Sequence, residues 1–230
     1  MHILLTNDDG IDAPGLAALA EAAAALGEVT VVAPAEPRSS CSHAVTADYP
    51  LQLISLGPRR YAVTGTPADC VRVALLHLAL DVDLVLSGIN AGGNLGFDIL
   101  MSGTVAGARE AMLLGRKAIA LSQYRQRASG YDWPRSAGLA TAALEYVLRQ
   151  EDEPLTYWNV NLPDIGANRM PPIVRCEPDP NTMPIYYDIV ADGLQYRSDY
   201  HERPRLPSAD VAHCFGGSIT VSRLARRSEL

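Results

Sequence analysis

Two adjacent carboxylates, Asp8 and Asp9, follow the first apolar run of the chain, which extends from His2 to Thr6. An apolar run of this length that stops at Asn-Asp-Asp-Gly predicts a buried strand followed by a turn. Adjacent carboxylates repel each other unless a cation lies between them, and hard oxygen ligands suit Mg²⁺ or Mn²⁺. The pair therefore indicates a metal site. A solvated Asp-Gly turn and the acidic pair of a phosphorylation-receiver domain share this sequence pattern and remain alternatives.

The polar loop at residues 38–43 carries hydroxyl groups that suit the same chemistry. Ser39 follows the second apolar run, and its hydroxyl is a candidate ligand for a cation or donor to a phosphate. His43 in the same loop is a candidate general acid. Taken alone, a loop of this composition is more often a solvent-facing segment, so its assignment depends on what lies beside it.

A glycine-rich segment, residues 88–107, follows another apolar run and leads into a predicted helix. Its six glycines allow the backbone to approach a ligand closely. Ser102, Gly103 and Thr104 stand where the helix begins, and amides at a helix N-terminus together with hydroxyls form an anion site. The segment lacks both the Gly-Lys-[Ser/Thr] of a P-loop and the GxGxxG of a dinucleotide fold. It is a phosphate-binding loop or a tight structural loop.

Alternating strands and helices must position these three segments. Strands are predicted at 2–6, 29–33, 50–56, 60–65, 83–87, 117–122 and 156–162, and helices at 15–26, 67–78, 104–115 and 134–149. Pro14 suits the first turn of the first helix, and Gly27 suits its C-terminal end. The alternation predicts a Rossmann-like, three-layer α/β fold with a doubly wound, mostly parallel sheet. Ligands in such folds bind beyond the carboxyl ends of the strands, so the three segments should converge there.

The chain is expected to form one domain, 1–230, with an appendage. Residues 1–162 are its Rossmann-like core, 163–217 the appendage, and 218–230 a final strand and tail. Within the appendage, Ile185–Ile189 and Leu194–Arg197 predict a β-hairpin, and Val211–Phe215 predicts a further strand. An isolated two-stranded hairpin is marginal in water, so we expect this apolar and aromatic hairpin to pack on a partner subunit.

The composition excludes several classes of protein. The 230 residues carry a formal charge of −7, which argues against a nucleic-acid duplex or an anionic membrane as partner. No run of about 18 apolar residues predicts a membrane span, and the N-terminus does not resemble a signal peptide. Four widely spaced cysteines form no CxxC pair, which favours reduced thiols in the cytoplasm over a zinc site.

Several ordered segments resemble the SurE (survival protein E) family. They are Asn7–Gly15, Val32–Pro34, Gly65–Val71, Ser87–Gly92 and Ser102–Val105, with a weaker match at Asn159–Pro163. The resemblance implies a metal-dependent phosphomonoesterase that hydrolyses nucleoside 5′- and 3′-monophosphates. It also implies a Rossmann-like core, a homodimer or homotetramer, and a C-terminal hairpin exchanged between subunits. An aromatic residue usually precedes Ser-Gly-Thr in this family, whereas Met101 stands there in this chain.

The resemblance also implies roles for individual residues. One divalent cation per subunit, Mg²⁺ or Mn²⁺, is expected to be held by Asp8, Asp9, Ser39 and Asn90. Of these, Asp8, Asp9 and Asn90 are the expected catalytic residues. The phosphate of the substrate is expected to contact Asn94, Ser102, Gly103 and Thr104.

These roles divide the glycine-rich segment into a metal half and a phosphate half. Thr104→Ala should then remove a phosphate donor and leave metal binding nearly unchanged, whereas Asn90→Ala should mainly weaken metal binding. Gly103 should be required because a Cβ would displace the phosphate, or because its φ is positive.

Two other functions compete with the phosphomonoesterase. One is a catalytically silent nucleotide-binding regulatory protein, which the intact acidic pair opposes. The other is a receiver domain, which needs a phosphoacceptor aspartate after a later strand. The strand at residues 83–87 ends instead in Ser-Gly, which argues against a receiver.

Overall fold

A mostly parallel sheet occupies the middle of the computed structural model, which describes residues 1–126, 130–166 and 169–225. The strands are β1 His2–Thr6, β2 Glu28–Pro34, β3 Leu53–Gly57, β4 Arg60–Val63, β5 Leu84–Ala91, β6 Lys117–Gln123, β7 Thr156–Leu162, β8 Ile173–Arg175, β9 Tyr186–Val190, β10 Gly193–Arg197 and β11 Ile219–Ala225. The helices are α1 Pro14–Ala24, α2 Pro67–Arg72, α3 Asp98–Met101, α4 Gly103–Leu113, α5 Trp133–Leu148 and α6 Asp210–Phe215.

The order of strands across the sheet is β3-β4-β2-β1-β5-β6-β7-β11-β8. The six strands from β4 to β7 run parallel, while β3 and β11 are antiparallel to their neighbours β4 and β7. From β1 the chain first adds strands on one side, through β2, and then returns to add β5 on the other. The order therefore reverses between β1 and β5, and a crevice opens at that point beyond the carboxyl ends of the strands.

Helices cover both faces of the sheet because its central strands are apolar on both sides. On β1, Ile3 and Leu5 join the core beneath α1 and α5, whereas Leu4 joins the core beneath α2 and α4. This alternation is the period of two that a strand imposes on its side chains. The result is the expected three-layer, doubly wound α/β architecture. Of the helices in the described ranges, none combines the length and apolar character that a membrane span requires.

Most predicted elements are present, and four differ. The predicted strand Val211–Phe215 is wrong: this segment is the short helix α6, which buries Val211 and Cys214 three residues apart on one face. The helix predicted at 67–78 is α2 followed by a π-helical turn at Val73–His77. Strand β5 continues to Ala91, so the glycine-rich loop begins later than expected. The edge strand β8 was not predicted.

Gly27 has a different role from the one expected at the end of α1. Its φ is not positive, and a Cβ at this position would lie 2.0 Å from the carbonyl oxygen of Met1. Close packing of two chain segments, and not a left-handed helix end, therefore requires glycine here.

The appendage is joined to the core by buried ionic groups. Asp210, at the start of α6, accepts hydrogen bonds from the backbone N–H of Gly96 and of Asp179, both at 2.8 Å. The buried guanidinium of Arg203 donates to Asp98 at 2.5 Å and to the carbonyl oxygen of Leu95 at 2.8 Å. These bonds fix the loop at residues 94–98 to the C-terminal part of the chain. The predicted tail beyond residue 225 lies outside the described residues.

The predicted hairpin forms as β9 and β10, a separate two-stranded antiparallel sheet. Tyr187 pairs with Tyr196, and Ile189 pairs with Leu194, so these four side chains share one face. The opposite face carries Asp188 and Arg197 along with Tyr186 and Gln195. All ten strand residues are exposed. The hairpin is therefore amphipathic and has one apolar face.

Candidate active site

A cavity of about 610 Å³ opens at the carboxyl ends of β1 and β5. It contains six of the eight residues expected at the site and several from α3 and the hairpin. The lining residues are Asp8, Asp9, Ser39, Ser40, Asn90, Ala91, Asn94, Phe97, Asp98, Met101, Ser102, Met183, Ile185, Tyr187 and Tyr196. Its location is the crevice that the reversal of strand order predicts. The other two expected residues, Gly103 and Thr104, lie directly behind Asp8.

Asp8 is almost completely buried, with 5% of its surface exposed. The pKa of its carboxyl is raised to about 6: burial is the largest cause, the charge of Asp9 adds to it, and hydrogen bonds from Thr104 oppose the shift. The Thr104 hydroxyl makes a short hydrogen bond to Oδ1 of Asp8. Without a cation, the ionised form of Asp8 is therefore held at an energetic cost.

Asp9 is more accessible than Asp8 and is also fixed in place. Its Oδ2 accepts a hydrogen bond from the backbone N–H of Ala91 at 2.9 Å, which joins the ends of β1 and β5. Burial raises the pKa of Asp9, and the Ala91 hydrogen bond lowers it. Two carboxylates with raised pKa values, side by side at a cavity wall, are the arrangement that a bound cation stabilises.

The neighbouring polar groups supply neutral oxygens. Asn90 donates its side-chain amide nitrogen to the carbonyl oxygen of Gly92 at 2.8 Å, which leaves its amide oxygen as the available ligand atom. The loop that carries Ser39 is held against β1 because the Arg38 N–H donates to the carbonyl oxygen of Asp8 at 2.7 Å. Carboxylate, amide and hydroxyl oxygens together fit a hard cation such as Mg²⁺ or Mn²⁺. In the parts of the chain that the structure describes, no group of three His, Cys, Asp or Glu side chains is placed to hold a metal.

Of the two reasons expected for Gly103, the structure contradicts the positive φ, and it adds a steric reason of its own. Its φ is not positive, and a Cβ there would lie 2.9 Å from both Cβ and Oδ2 of Asp8 and 2.7 Å from Sγ of Cys41. Helix α4 can therefore begin directly against the carboxylate only because residue 103 has no side chain. Ser102 caps the helix, since its hydroxyl accepts from the backbone N–H of Val105 at 3.1 Å.

The expected independence of Thr104 from the metal half is wrong. Thr104 is fully buried, and its hydroxyl donates to Asp8, an expected metal ligand. The side chain therefore positions the carboxylate and lowers its pKa. The division of residues 88–107 into separate metal and phosphate halves does not hold at Thr104.

Asn94 is the most extensively bonded residue of the glycine-rich loop. Its side chain donates to the hydroxyl of Ser122, its N–H donates to Asn161, and its carbonyl oxygen accepts from both Asn159 and Asn161, at 2.8–3.0 Å. Asn159 and Asn161 were not predicted as site residues. Two asparagines at alternate positions of an otherwise apolar strand are a detectable sequence signal, because buried amides require specific partners. These contacts hold the loop at the end of β7.

His43 lies outside this cavity. Its Nε2 is 2.8 Å from Oε2 of Glu110, and Glu110 also accepts from Arg72 at 2.6 Å. Burial acts to raise the pKa of Glu110, but the hydrogen bonds from His43 and Arg72 outweigh it and lower that pKa. The histidine is therefore part of a structural network, and the structure provides no contact for it as a general acid in this cavity.

Sequence and structure comparisons identify the family. The family model described as survival protein SurE matches residues 3–180. The chain belongs to the SurE family. A relative from Synechocystis sp. whose printed name describes a 5′-nucleotidase is 44% identical over 226 residues, which is 97% of this chain and 99% of its own length. The 5′-nucleotidase SurE of Pelobacter propionicus is 49% identical over 176 residues, covering 76% of this chain and 71% of the relative.

A solved SurE structure shares the fold. The crystal structure of the SurE protein from Aquifex aeolicus has a TM-score of 0.85 and 33% identity, and the match covers 100% of this chain and 95% of that one. The SurE family is metal-dependent, which agrees with the donor set around Asp8 and Asp9.

We predict that Asp8→Asn abolishes phosphatase activity yet stabilises the metal-free protein. Because the pKa of Asp8 is raised from 3.8 to about 6, the folded wild type binds a proton that the unfolded chain releases, and it loses stability as pH rises through that interval. The variant avoids a cost of about 2–3 kcal/mol above this range. Urea unfolding in EDTA should therefore show a stability difference that grows between about pH 4 and about pH 7. A constant difference, or wild-type turnover by the variant, would contradict the assignment.

We further predict that Thr104→Ala weakens Mn²⁺ binding by about 10-fold or more, the range typical for a group that supports a metal ligand. Losing the hydroxyl removes the hydrogen bond that favours ionised Asp8. Thr104→Ser should bind Mn²⁺ nearly as wild type, and Asn90→Ala should also bind it weakly. Ser102→Ala is the matched control, since it removes the helix cap without altering Asp8. Calorimetric titration with Mn²⁺ measures all four, and a normal affinity for Thr104→Ala would refute the positioning role.

Proposed function

We propose that this chain is a divalent-metal-dependent 5′-nucleotidase that hydrolyses nucleoside 5′-monophosphates, and also 3′-monophosphates, to nucleoside and phosphate. The observation that carries the proposal is the pair of buried Asp8 and partly buried Asp9 at the β1–β5 crevice, beside the N-terminus of α4. A cation site next to an anion site is the arrangement that phosphoryl transfer requires. Membership of a family whose relatives are named 5′-nucleotidases supports the same reaction.

Different residues would bind the metal, position its ligands and bind the phosphate. Asp8, Asp9, Ser39 and Asn90 would hold one cation, Mg²⁺ or Mn²⁺, which when bound polarises the phosphate and lowers the pKa of water. Thr104 orients Asp8 and favours its ionised form. Asn94 and Ser102 line the same cavity, and the amides that open α4 at Gly103 favour phosphoryl oxygens.

A catalytically silent nucleotide-binding protein is the alternative, and the geometry opposes it. Retaining two carboxylates with raised pKa values costs stability, and a protein that only binds nucleotide has no need for that cost.

We propose also that the enzyme is a cytoplasmic homodimer or homotetramer. Its four cysteines are unpaired, which suits a reducing compartment. Ile189 and Leu194, at the far end of the hairpin's apolar face, are 89% and 69% exposed. Exposed apolar side chains on a two-stranded hairpin favour burial against a second copy of the chain.

The decisive test of the activity is phosphate release from a panel of nucleoside 5′- and 3′-monophosphates with Mg²⁺, Mn²⁺ or EDTA. We predict release with either cation and none in EDTA. The Asp9→Asn variant should be inactive under every condition, whereas Asp12→Asn, an exposed carboxylate just outside the site, should retain wild-type activity. Nucleotide binding without release by the wild type would favour the silent alternative.

For the assembly, we predict that light scattering at micromolar concentration gives two or four times the 24.7 kDa chain mass. Joint replacement Ile189→Ser and Leu194→Ser should shift the protein toward lower mass, because it removes the exposed apolar pair. Gln195→Ala, on the opposite face of the same hairpin, should not. A monodisperse wild-type monomer would overturn the proposed assembly.

A further inference from the structure

The cavity is lined by two chemically different groups of residues. The polar lining, or floor, includes the acidic pair with Ser39, Asn90, Asp98 and Ser102. The apolar and aromatic lining, or roof, is formed by Phe97, Met101, Met183, Ile185, Tyr187 and Tyr196. The volume of about 610 Å³ is within the range of pockets that enclose small organic ligands. A phosphomonoester bound at the floor therefore has apolar and aromatic side chains in the same cavity for its remaining atoms.

The hairpin brings its apolar face to this roof. Tyr187 and Tyr196 are a cross-strand pair with ring centroids 6.0 Å apart and ring planes at 81°. Both rings remain more than half exposed, at 60% and 52%, so the cavity side of the pair is open to a ligand. Ile185 extends the same face toward the chain that enters the hairpin, whereas Tyr186 lies on the opposite face and does not line the cavity.

We propose that Tyr187 and Tyr196 form the nucleobase platform of the active site and determine its selectivity for nucleotides over smaller phosphomonoesters. This inference deepens the proposed nucleotidase function and rests on it. Aromatic rings recognise the π-face that every base presents, so such a platform accepts both purines and pyrimidines. The other roof side chains, Phe97, Met101, Met183 and Ile185, carry no group that reads the hydrogen-bonding edge of a base. Larger purine rings gain more from stacking, so purine nucleotides should be preferred.

Ribose 5-phosphate isolates this contact, because it keeps the phosphate and sugar of a 5′-nucleotide and lacks the base. In Tyr187→Ala and Tyr196→Ala, we expect KM for adenosine 5′-monophosphate to rise about tenfold, the usual effect of losing one stacking ring. The kcat for this nucleotide, and kcat/KM for ribose 5-phosphate, should stay close to wild type. Adenosine should inhibit the wild type competitively, and each alanine variant should require about tenfold more of it.

Two further variants separate base stacking from other roles of the hairpin. Tyr187→Phe keeps the ring and should restore the wild-type KM. Tyr186→Ala removes a similarly exposed tyrosine from the opposite face and should leave both substrates unaffected. An equal loss on both substrates would indicate a defect in folding or assembly and would overturn the platform. A wild-type KM in both alanine variants would overturn it too. If the wild type hydrolyses neither substrate, the proposed nucleotidase function itself fails.

Discussion

The cost of ionising Asp8, buried beside Asp9 at the end of β1, is the constraint on which the rest of the site depends. Burial is the largest cause of that cost, and the neighbouring charge of Asp9 adds to it. In this structure, hydrogen bonds hold the two carboxylates side by side. The Thr104 hydroxyl holds Asp8, and the Ala91 amide holds Asp9. Both restraining groups belong to the glycine-rich segment, residues 88–107, so the acidic pair and this segment form one unit.

That unit is held in place by parts of the chain that are distant in sequence. Asn159 and Asn161 on β7 bind the backbone of Asn94. Asp210 and Arg203, from the C-terminal part, bind the backbone at Gly96 and Leu95. A glycine-rich loop is entropically costly to order, and buried charged hydrogen bonds offset that cost more effectively than neutral ones. The appendage therefore contributes to the rigidity of the site as well as to the hairpin.

The sequence predicted the core elements and the convergence of three loops because both follow from local patterns. The apolar run of each strand, and the proline with which α1 begins, are patterns of only a few residues each. Helix α6 differs from the predicted strand because a six-residue segment with four apolar residues fits either period, and tertiary packing decides between them. The Thr104–Asp8 contact joins positions 96 residues apart, which no spacing rule reports. The sequence predicts only that the hairpin tyrosines contribute to assembly. That they line the same cavity as Asp8 depends on the folded chain and has no local sequence signal.

The single apolar face of the hairpin links two functions that appear separate in the sequence. Its inner half, at Tyr187 and Tyr196, lines the cavity, and its outer half, at Ile189 and Leu194, is exposed. Cross-strand pairing joins the inner and outer halves of the hairpin. A contact that orders the tip of the hairpin therefore also orders the two tyrosines at the cavity. A two-stranded ribbon is marginal on its own, and a second copy of the chain against the tip would hold the tyrosines over the acidic pair. In that arrangement, assembly preorganises the base-binding end of the site, which reduces the entropy that the substrate must lose on binding.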